Sequence, residues 1–279
     1  MHISLPSIGI LGLGYLGILL TRESALNPDS WGTWHKNPPC KTKLHVFPFE
    51  WGEKNCWNLL PEKEVILILT IPPVFKSIED ETERLRIWCE WIQKNRPKLK
   101  RLIYISTTGV YPKRNGLWRE DSEFESDTNS GKIRLMTENI LSEYFDLNVV
   151  RPGGIYGPGR GIDVRLKSGK IIPVSSTPVH RIHVHDLVQI IMYLVKNPNS
   201  VSCLNAVDLE AKPSFEVAHW LVDNRDGFSP DMLSVLDKFA TDLTGFPKRL
   251  ISNQSLNDLG IKLKYPTFRE GMGLFDQKR

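Results

Sequence analysis

A glycine-rich segment near the amino terminus carries the clearest chemistry in the sequence. Gly12, Gly14 and Gly17 have the G-x-G-x-x-G spacing and directly follow the apolar residues 8–11. In that place the first glycine permits a tight turn, the second lets backbone approach a pyrophosphate, and the third lets a helix pack closely on a strand. The helix amino terminus then faces the anion. The spacing predicts a dinucleotide-binding turn; the alternative is that the glycines merely tighten the chain.

The residues after the second predicted strand bear on which dinucleotide is bound. An NAD-selective site usually places an acid about 20 residues beyond the glycines, where it bonds the ribose 2′-hydroxyl. Here the chain has His35 and Lys36 and no acid. Because a basic pair suits a 2′-phosphate, the sequence favours NADP over NAD. The alternative is that His35 and Lys36 are ordinary loop residues beyond a misplaced strand boundary.

Three further segments stand out: Ser-Thr-Thr-Gly-Val-Tyr at 106–111, Arg-Pro-Gly-Gly-Ile-Tyr-Gly-Pro-Gly-Arg at 151–160, and Arg-Ile-His-Val-His-Asp-Leu at 181–187. With the glycine turn they resemble the extended short-chain dehydrogenase/reductases, the NAD-dependent epimerase/dehydratase group, over residues 7–270. The resemblance implies a Rossmann-type doubly wound parallel sheet, a smaller carboxyl-terminal substrate lobe, and a cofactor across the carboxyl edge of the sheet. Cofactor contacts are then expected at Gly12, Gly14, Tyr15, Leu16, Gly17, His35, Lys36, Thr70, Ile71, Pro72, Arg134 and Pro152.

The catalytic centre that the resemblance implies is altered in this chain. The family pairs a Ser or Thr at a strand end with a Tyr-x-x-x-Lys on the next helix, where the lysine lowers the pKa of the phenol. Thr107 matches the hydroxyl partner, but Ser130 and Arg134 stand where the tyrosine and lysine are expected. None of the seven tyrosines has a lysine four positions later. The candidate proton donors are then Ser130 with water, Tyr111, His183 and His185.

Substrate contacts are expected from the segments that follow. The candidates are Thr108, Trp118, Tyr156, Arg160, Arg181 and His183. Arginines there suit a phosphorylated or nucleotide-linked ligand. The alternatives are that Tyr111 and Tyr156 are packed turn residues, that the histidines orient the loop, and that Trp118 is a surface aromatic. No metal site is expected at His183, His185 and Asp186, because alternate strand residues point apart and no fourth ligand is evident.

Two functions stay open at this point. In the first, the chain is an atypical NADP-linked oxidoreductase or epimerase acting on a sugar-nucleotide or small carbonyl substrate. Thr107 would bind the substrate oxygen and Arg134 the nicotinamide ribose. In the second, it is a catalytically silent NADP-binding sensor or scaffold. The missing Tyr-Lys pair motivates the second function, whereas the intact cleft motifs favour an enzyme.

Alternating strands and helices must position these residues. Apolar runs predict strands at 7–11, 30–34, 65–71, 102–106, 147–151 and 203–207, and amphipathic patterns predict helices at 15–24, 77–95, 128–144, 186–196 and 214–223. Such alternation is typical of a parallel sheet with right-handed crossovers. Residues 1–155 are the predicted Rossmann domain, with returns to the sheet near 183–207, and residues 156–279 are the predicted lobe.

Composition limits the class of protein. A chain of 279 residues with 41% hydrophobic residues buries a full core, which excludes a disordered tail or a disulfide-stapled miniprotein. The net charge of +4 does not argue for nucleic acid, and the four cysteines form no C-x-x-C pair. No apolar stretch approaches the roughly 20 residues that span a bilayer, and no secretion signal is evident. We expect a cytoplasmic protein with a small-molecule partner and without metal, nucleic acid or membrane. The resemblance also implies a homodimer through helices 77–95 and 128–144, with Trp88 and Trp91 as contact candidates.

Overall fold

The computed structural model describes residues 6–23, 26–39, 42–74, 77–236 and 247–273. Their strands are β1 (Ile8–Leu11), β2 (Trp31–Trp34), β3 (His45–Pro48), β4 (Ile66–Leu69), β5 (Arg101–Ile105), β6 (Gly116–Trp118), β7 (Asp146–Pro152), β8 (Gly154–Tyr156), β9 (Arg181–His183), β10 (Cys203–Ala206) and β11 (Arg249–Ile251). Their helices are α1 (Tyr15–Glu23), α2 (Lys54–Trp57), α3 (Ile78–Asn95), α4 (Asn129–Tyr144), α5 (Ile162–Lys167), α6 (Val184–Lys196), α7 (Ser214–Asn224), α8 (Gln254–Asp258) and α9 (Phe268–Gly271). The predicted helix end at Ser24, the amino-terminal residues 1–5 and Cys40 lie outside these ranges.

A seven-stranded sheet has the order β10-β7-β5-β4-β1-β2-β3. The pairs from β7 to β3 are parallel. All four residues of β4 are buried, as a strand covered on both faces requires. The chain passes from β1 to β2 and β3 on one side and then to β4, β5 and β7 on the other. The predicted Rossmann-type α/β fold is therefore confirmed, and the carboxyl ends of β1 and β4 form its switch point, where such folds bind ligands.

Helix α3 begins as its sequence predicts. The Ser77 hydroxyl accepts a hydrogen bond from the amide of Asp80 at 3.0 Å and caps the helix. Trp88 on this helix is fully buried in the core. Trp91 packs edge-on against Trp57, with ring centroids 5.7 Å apart. Trp88 is therefore not an exposed dimer contact, whereas Trp91 is only half-buried, and the homodimer stays a prediction.

The chain divides into two compact units. The first comprises residues 1–111, 124–151 and 188–204, and the second comprises 112–123, 152–187 and 205–279. The chain leaves the first unit after residue 151, whereas the predicted domain boundary is at 155. Segment 112–123, which carries β6, also belongs to the second unit. In that unit β8 pairs with β9 and β6 pairs with β11. No helix in the described ranges has the length and apolarity needed to traverse a lipid bilayer.

Candidate functional site

The turn between β1 and α1 gives each of its three glycines a separate task. Gly12 has a φ of 106°, a conformation that favours glycine. Its amide donates a hydrogen bond to Thr33 Oγ1 at 3.0 Å, and its carbonyl accepts one from Thr70 Oγ1 at 2.6 Å. A Cβ on Gly17 would lie 2.2 Å from the Gly12 carbonyl oxygen, so only glycine lets α1 approach so closely. A Cβ on Gly14 would meet no atom within 4 Å. The backbone at Gly14 therefore faces open space, which is what close approach of a ligand needs.

A cavity of about 420 Å³ adjoins this turn within the first unit. Its lining residues are Gly12, Leu13, Gly14, Thr33, Trp34, His35, Asn37, Phe49, Glu50, Trp51, Gly52, Thr70, Ile71, Pro72, Val74 and Arg84. The predicted cofactor residues among them are Gly12, Gly14, His35, Thr70, Ile71 and Pro72. The predicted residues that do not line it are Tyr15, Leu16, Gly17, Lys36, Arg134 and Pro152. Most of the cavity surface is apolar, and the ionisable residues in its lining are His35, Glu50 and Arg84.

Strand β3 brings residues to this cavity that sequence reasoning missed. It pairs in parallel with β2, and the Phe49 amide donates to the Trp34 carbonyl at 2.8 Å beyond the last strand pair. Parallel strands end at the same edge, so Glu50 stands beside His35, with 3.8 Å between Glu50 Oε1 and His35 Nε2. The Glu50 carbonyl accepts a bond from Trp57 Nε1 at 3.1 Å, which fixes its backbone. The only signal was the short apolar run at 45–49, which ends in a proline and a phenylalanine.

The end of β5 carries the predicted catalytic hydroxyl. Thr107 is half-buried, and its Oγ1 accepts a hydrogen bond from the Gly109 amide at 3.0 Å. Thr108, a predicted substrate residue, is buried directly after it. Ser130 is exposed in the first turn of α4. The first unit therefore contains both hydroxyl groups, one at the strand end and one at the start of the helix that follows.

Tyr111 is more deeply placed than a proton donor needs to be. It is 1% exposed, and its Oη accepts a hydrogen bond from Arg151 Nη1 at 3.0 Å. Its ring packs on Phe124 with centroids 4.8 Å apart. The packed-turn alternative accordingly describes Tyr111 better than the role of an acid that reaches substrate.

Arg134 lies beside the same strand end. Its Nη1 donates to the carbonyl of Ile105 at 3.1 Å and to Oη of Tyr104 at 3.2 Å. Its guanidinium carbon is 6.0 Å from the centre of the Tyr104 ring. The residue at the lysine position of the family pattern is therefore a cation bonded to the end of β5, at Ile105, two positions before Thr107 in the chain.

A buried ion pair lies behind these groups. Glu138 of α4 accepts hydrogen bonds from Ser106 Oγ (2.5 Å) and from Arg151 Nη2 (2.6 Å) and Nε (3.2 Å). Burial works to lower the pKa of Arg151, but the hydrogen bonds and charge of Glu138 raise it above its ordinary value. The pair joins α4 to β7 and to the end of β5, and so braces the segment that carries Thr107.

In the second unit, Arg181 differs from its predicted role as an anion contact. It is 3% exposed, and its Nη1 donates to the carbonyls of Val179 (2.8 Å) and Lys212 (2.7 Å). Its Nη2 donates to Ser214 Oγ at 3.0 Å. Burial lowers the pKa of Arg181 to about 10. Because the guanidinium is enclosed, Arg181 links the backbone at Val179 and Lys212 and the side chain of Ser214, and its donors are not directed at a ligand.

The histidine pair also differs from expectation. Strand β9 ends at His183 and helix α6 begins at Val184, so the alternation of a strand does not separate His183 from His185. Their ring centroids are 5.0 Å apart, and Tyr265 packs on His183 at 3.8 Å. Burial lowers the pKa of the fully buried His183 to about 3, which keeps it neutral. Nowhere in the described part of the chain do three His, Cys, Asp or Glu side chains gather as a metal site.

The other predicted substrate residues occupy varied places in the second unit. Tyr156 is buried, and its Oη donates to the Thr267 carbonyl at 3.2 Å. Trp118 ends β6, where the Arg114 guanidinium stacks 5.3 Å from its ring. Arg160 is exposed on a tight turn closed by hydrogen bonds with Gly157. Of the predicted substrate residues in the second unit, Arg160 alone is an exposed cation.

Sequence comparisons with known proteins match part of the chain. No family model matches the chain. It is 26% identical over 176 residues to Protein YeeZ of Escherichia coli K12, which is 61% of this chain and 60% of that protein. The match therefore spans less than two thirds of the relative's length.

Solved structures extend the comparison to nearly the whole chain. A Methylobacillus flagellatus protein assigned as an NAD-dependent epimerase/dehydratase superposes with a TM-score of 0.76 at 23% identity, covering 97% of both chains. The dTDP-glucose 4,6-dehydratase of Streptomyces venezuelae, solved with NAD bound, gives 0.75 at 14% identity over 95% of this chain and 94% of that one. The UDP-N-acetylglucosamine 4-epimerase of Bacillus cereus gives 0.70 at 15% identity over 96% and 98%. The chain thus has the fold of the NAD-dependent epimerase/dehydratases, as the sequence motifs predicted.

Proposed function

We propose that this chain binds a nicotinamide dinucleotide at the carboxyl edge of its seven-stranded sheet and belongs to the epimerase/dehydratase group. One observation carries the proposal: Gly17 lets α1 pack against Gly12, while the space beside Gly14 is open at the amino terminus of that helix. Backbone amides and the helix dipole at such a turn suit a pyrophosphate. The structural neighbours solved with NAD support the same ligand class.

The adenosine half of the dinucleotide fits the cavity beside the turn. Trp34 and Trp51 offer aromatic walls for a purine, and Glu50 offers a carboxylate acceptor. His35 and Arg84, the two basic residues of the lining, suit the 2′-phosphate of NADP. The carboxylate of Glu50, 3.8 Å from His35, suits the ribose 2′-hydroxyl of NAD, so the titration below compares both dinucleotides. Lys36, the other residue from which NADP was predicted, does not line the cavity.

Calorimetric titration of the purified protein with NADPH and NADH tests the proposal, with Gly14→Ala as the informative variant. Because an added Cβ meets no protein atom, we expect Gly14→Ala to keep its thermal unfolding temperature. The methyl would occupy the space needed for the pyrophosphate and weaken binding by about tenfold or more, that is about 1.4 kcal/mol. Gly154→Ala, whose Cβ would make only ordinary contacts at 3.6 Å, is the control. Absence of binding by the wild type at millimolar cofactor would refute the proposal.

The reaction best suited to these groups is hydride exchange with a carbonyl or alcohol carbon of a sugar-nucleotide or small carbonyl substrate. The dinucleotide, when bound, supplies the hydride acceptor or donor. Thr107 would bond the substrate oxygen, and Arg134 would bond the nicotinamide ribose. A guanidinium binds through its N–H donors and is a poor proton donor, so no proton-transfer step is assigned to Arg134. Ser130 with water is the remaining hydroxyl route, and a serine is a weak acid without a base beside it.

A second candidate, a silent NADP-dependent sensor or scaffold, has one observation in its favour: the chain contains no Tyr-x-x-x-Lys. A screen of UDP- and dTDP-sugars and small aldehydes for NADPH oxidation separates the two candidates. An enzyme should turn over at least one of them and lose that activity in Thr107→Ala and Arg134→Ala. Cofactor binding without any turnover would favour the sensor, and activity unchanged in both variants would remove the catalytic assignment.

A further inference from the structure

A tyrosine inside the sheet contacts the cation of the candidate site. Tyr104 belongs to β5 and is completely buried, and its hydroxyl oxygen accepts a hydrogen bond from Arg134 Nη1 at 3.2 Å. The same nitrogen donates to the Ile105 carbonyl, the last residue of the strand. From this geometry we infer that Tyr104 is a positioning residue, which holds the Arg134 guanidinium at the end of β5 in the orientation that bonds the nicotinamide ribose. The inference rests on the dinucleotide binding proposed above.

The bonds to Nη1 determine where the other donors of Arg134 point. A guanidinium is planar and rigid, so anchoring one terminal nitrogen at two acceptors limits rotation of the whole group. Among the described residues, Nε and Nη2 of Arg134 have no hydrogen-bond partner. The side chain is half-buried, so these donors are within reach of a ligand at the sheet edge. A ribose with two vicinal hydroxyls is the kind of ligand that two neighbouring N–H groups can bond.

Tyr104 is suited to this task because its own position is fixed. Its ring lies in the core between β5 and the helices, with no exposed surface. Burial raises the pKa of Tyr104 to about 12, although Arg134 works in the opposite direction. The phenol therefore stays protonated and neutral, and accepts the hydrogen bond through its oxygen. An enclosed phenol is not a proton donor to substrate, so Tyr104 acts through Arg134 and does not replace the missing catalytic tyrosine.

The test compares ligands with and without the nicotinamide ribose. Tyr104→Phe removes one hydroxyl from a core position and keeps the ring. By calorimetry we expect Tyr104→Phe to weaken NADPH binding about fivefold to tenfold and to leave binding of ADP, which lacks that ribose, unchanged. Arg134→Gln should weaken NADPH binding by at least as much. In the double variant the two losses should not add, because both remove one interaction. Tyr193→Phe is the matched control: Tyr193 is a half-buried residue of α6, and removing its hydroxyl should change neither affinity.

The possible failures are distinguishable. If the wild type binds neither NADPH nor ADP, the proposed function and this inference fall together. If it binds both and Tyr104→Phe leaves the ratio of the two affinities unchanged, the inference alone is overturned. A purely structural role for Tyr104 would lower the unfolding temperature and weaken both ligands alike, which also overturns it. Should Tyr104→Phe not fold, Arg134→Gln on the half-exposed helix surface decides: unchanged NADPH affinity is evidence against the inference.

Discussion

Glu138 and Glu143 are two glutamates on one helix, each paired with an arginine, but only one pair is buried. Glu138 and Arg151 are 7% and 8% exposed, whereas Glu143 and Arg86 are 49% and 41% exposed. We expect Glu138→Gln to lower the free energy of unfolding by about 3 kcal/mol, because it leaves an uncompensated buried charge. Glu143→Gln should cost under about 1 kcal/mol, since water screens that pair.

Urea denaturation of both variants and the wild type measures the difference. Equal losses in the two variants would show that the Glu138–Arg151 pair does not brace the end of β5. Restored stability in Glu138→Gln combined with Arg151→Met would support the charge argument, because the isolated cation is then gone.

Single residues show where sequence reasoning reaches its limit. The family resemblance implies Thr107 at a strand end and Arg134 on the helix that follows, and Arg134 indeed bonds the Ile105 carbonyl at that strand end. Tyr111 and Arg181 are predicted from the motifs at 106–111 and 181–187, and a motif does not indicate how deeply a side chain is buried. Each is enclosed by a partner distant in the chain, Arg151 or Lys212, that no local pattern announces.

The β1–α1 element depends on close contact between strand turn and helix. We expect Gly17→Ala to destabilise the protein by about 1–3 kcal/mol, because its Cβ would overlap the Gly12 carbonyl oxygen and push the helix away. Gly14→Ala, three residues earlier, should leave the free energy of unfolding nearly unchanged but weaken cofactor binding. Thermal unfolding of the two variants measures the contrast. A Gly17→Ala variant as stable as the wild type would mean that the helix can withdraw without cost.

Elements differ in how far local sequence determines them. Helices α3 and α4 start at Ser77 and Thr128, whose side chains accept bonds from backbone amides, and such caps are readable from sequence. Strands β3, β6 and β11 have only three or four residues each. They form because a neighbouring strand supplies hydrogen bonds, and β6 pairs with β11 across more than a hundred positions. This is why Glu50 and Trp51, at the end of β3, were missed from the site.

At the scale of the molecule, acid should weaken the fold through a buried histidine of the second unit. His180 Nε2 accepts the Ile251 amide at 2.9 Å, and burial, helped by Arg249 and Arg181, lowers the pKa of His180 to about 4. Between that value and the ordinary 6.5 the unfolded chain binds more protons than the folded one. The part of the stability that depends on His180 therefore falls as the pH drops through this window, and the loss due to His180 at pH 5 is about 2 kcal/mol.

The measurement compares wild type with His180→Asn by denaturant unfolding at pH 7 and pH 5. The asparagine does not titrate, so the variant should lose less stability between the two pH values. Asp208, whose pKa burial raises to about 8, has the opposite sign and favours lower pH, but it is present in both proteins and cancels. Identical pH dependence of the two proteins would contradict the assignment.

The cavity walls have a practical consequence. Trp34 and Trp51 line the space proposed for adenosine, and Trp51 stacks edge-on against Trp88 at 5.2 Å. Indole emission is sensitive to what surrounds the ring, and a reduced nicotinamide absorbs in the range where indoles emit. Occupancy of the pocket should therefore quench and shift the native ultraviolet emission, and the protein needs no attached dye to reveal when its groove is filled.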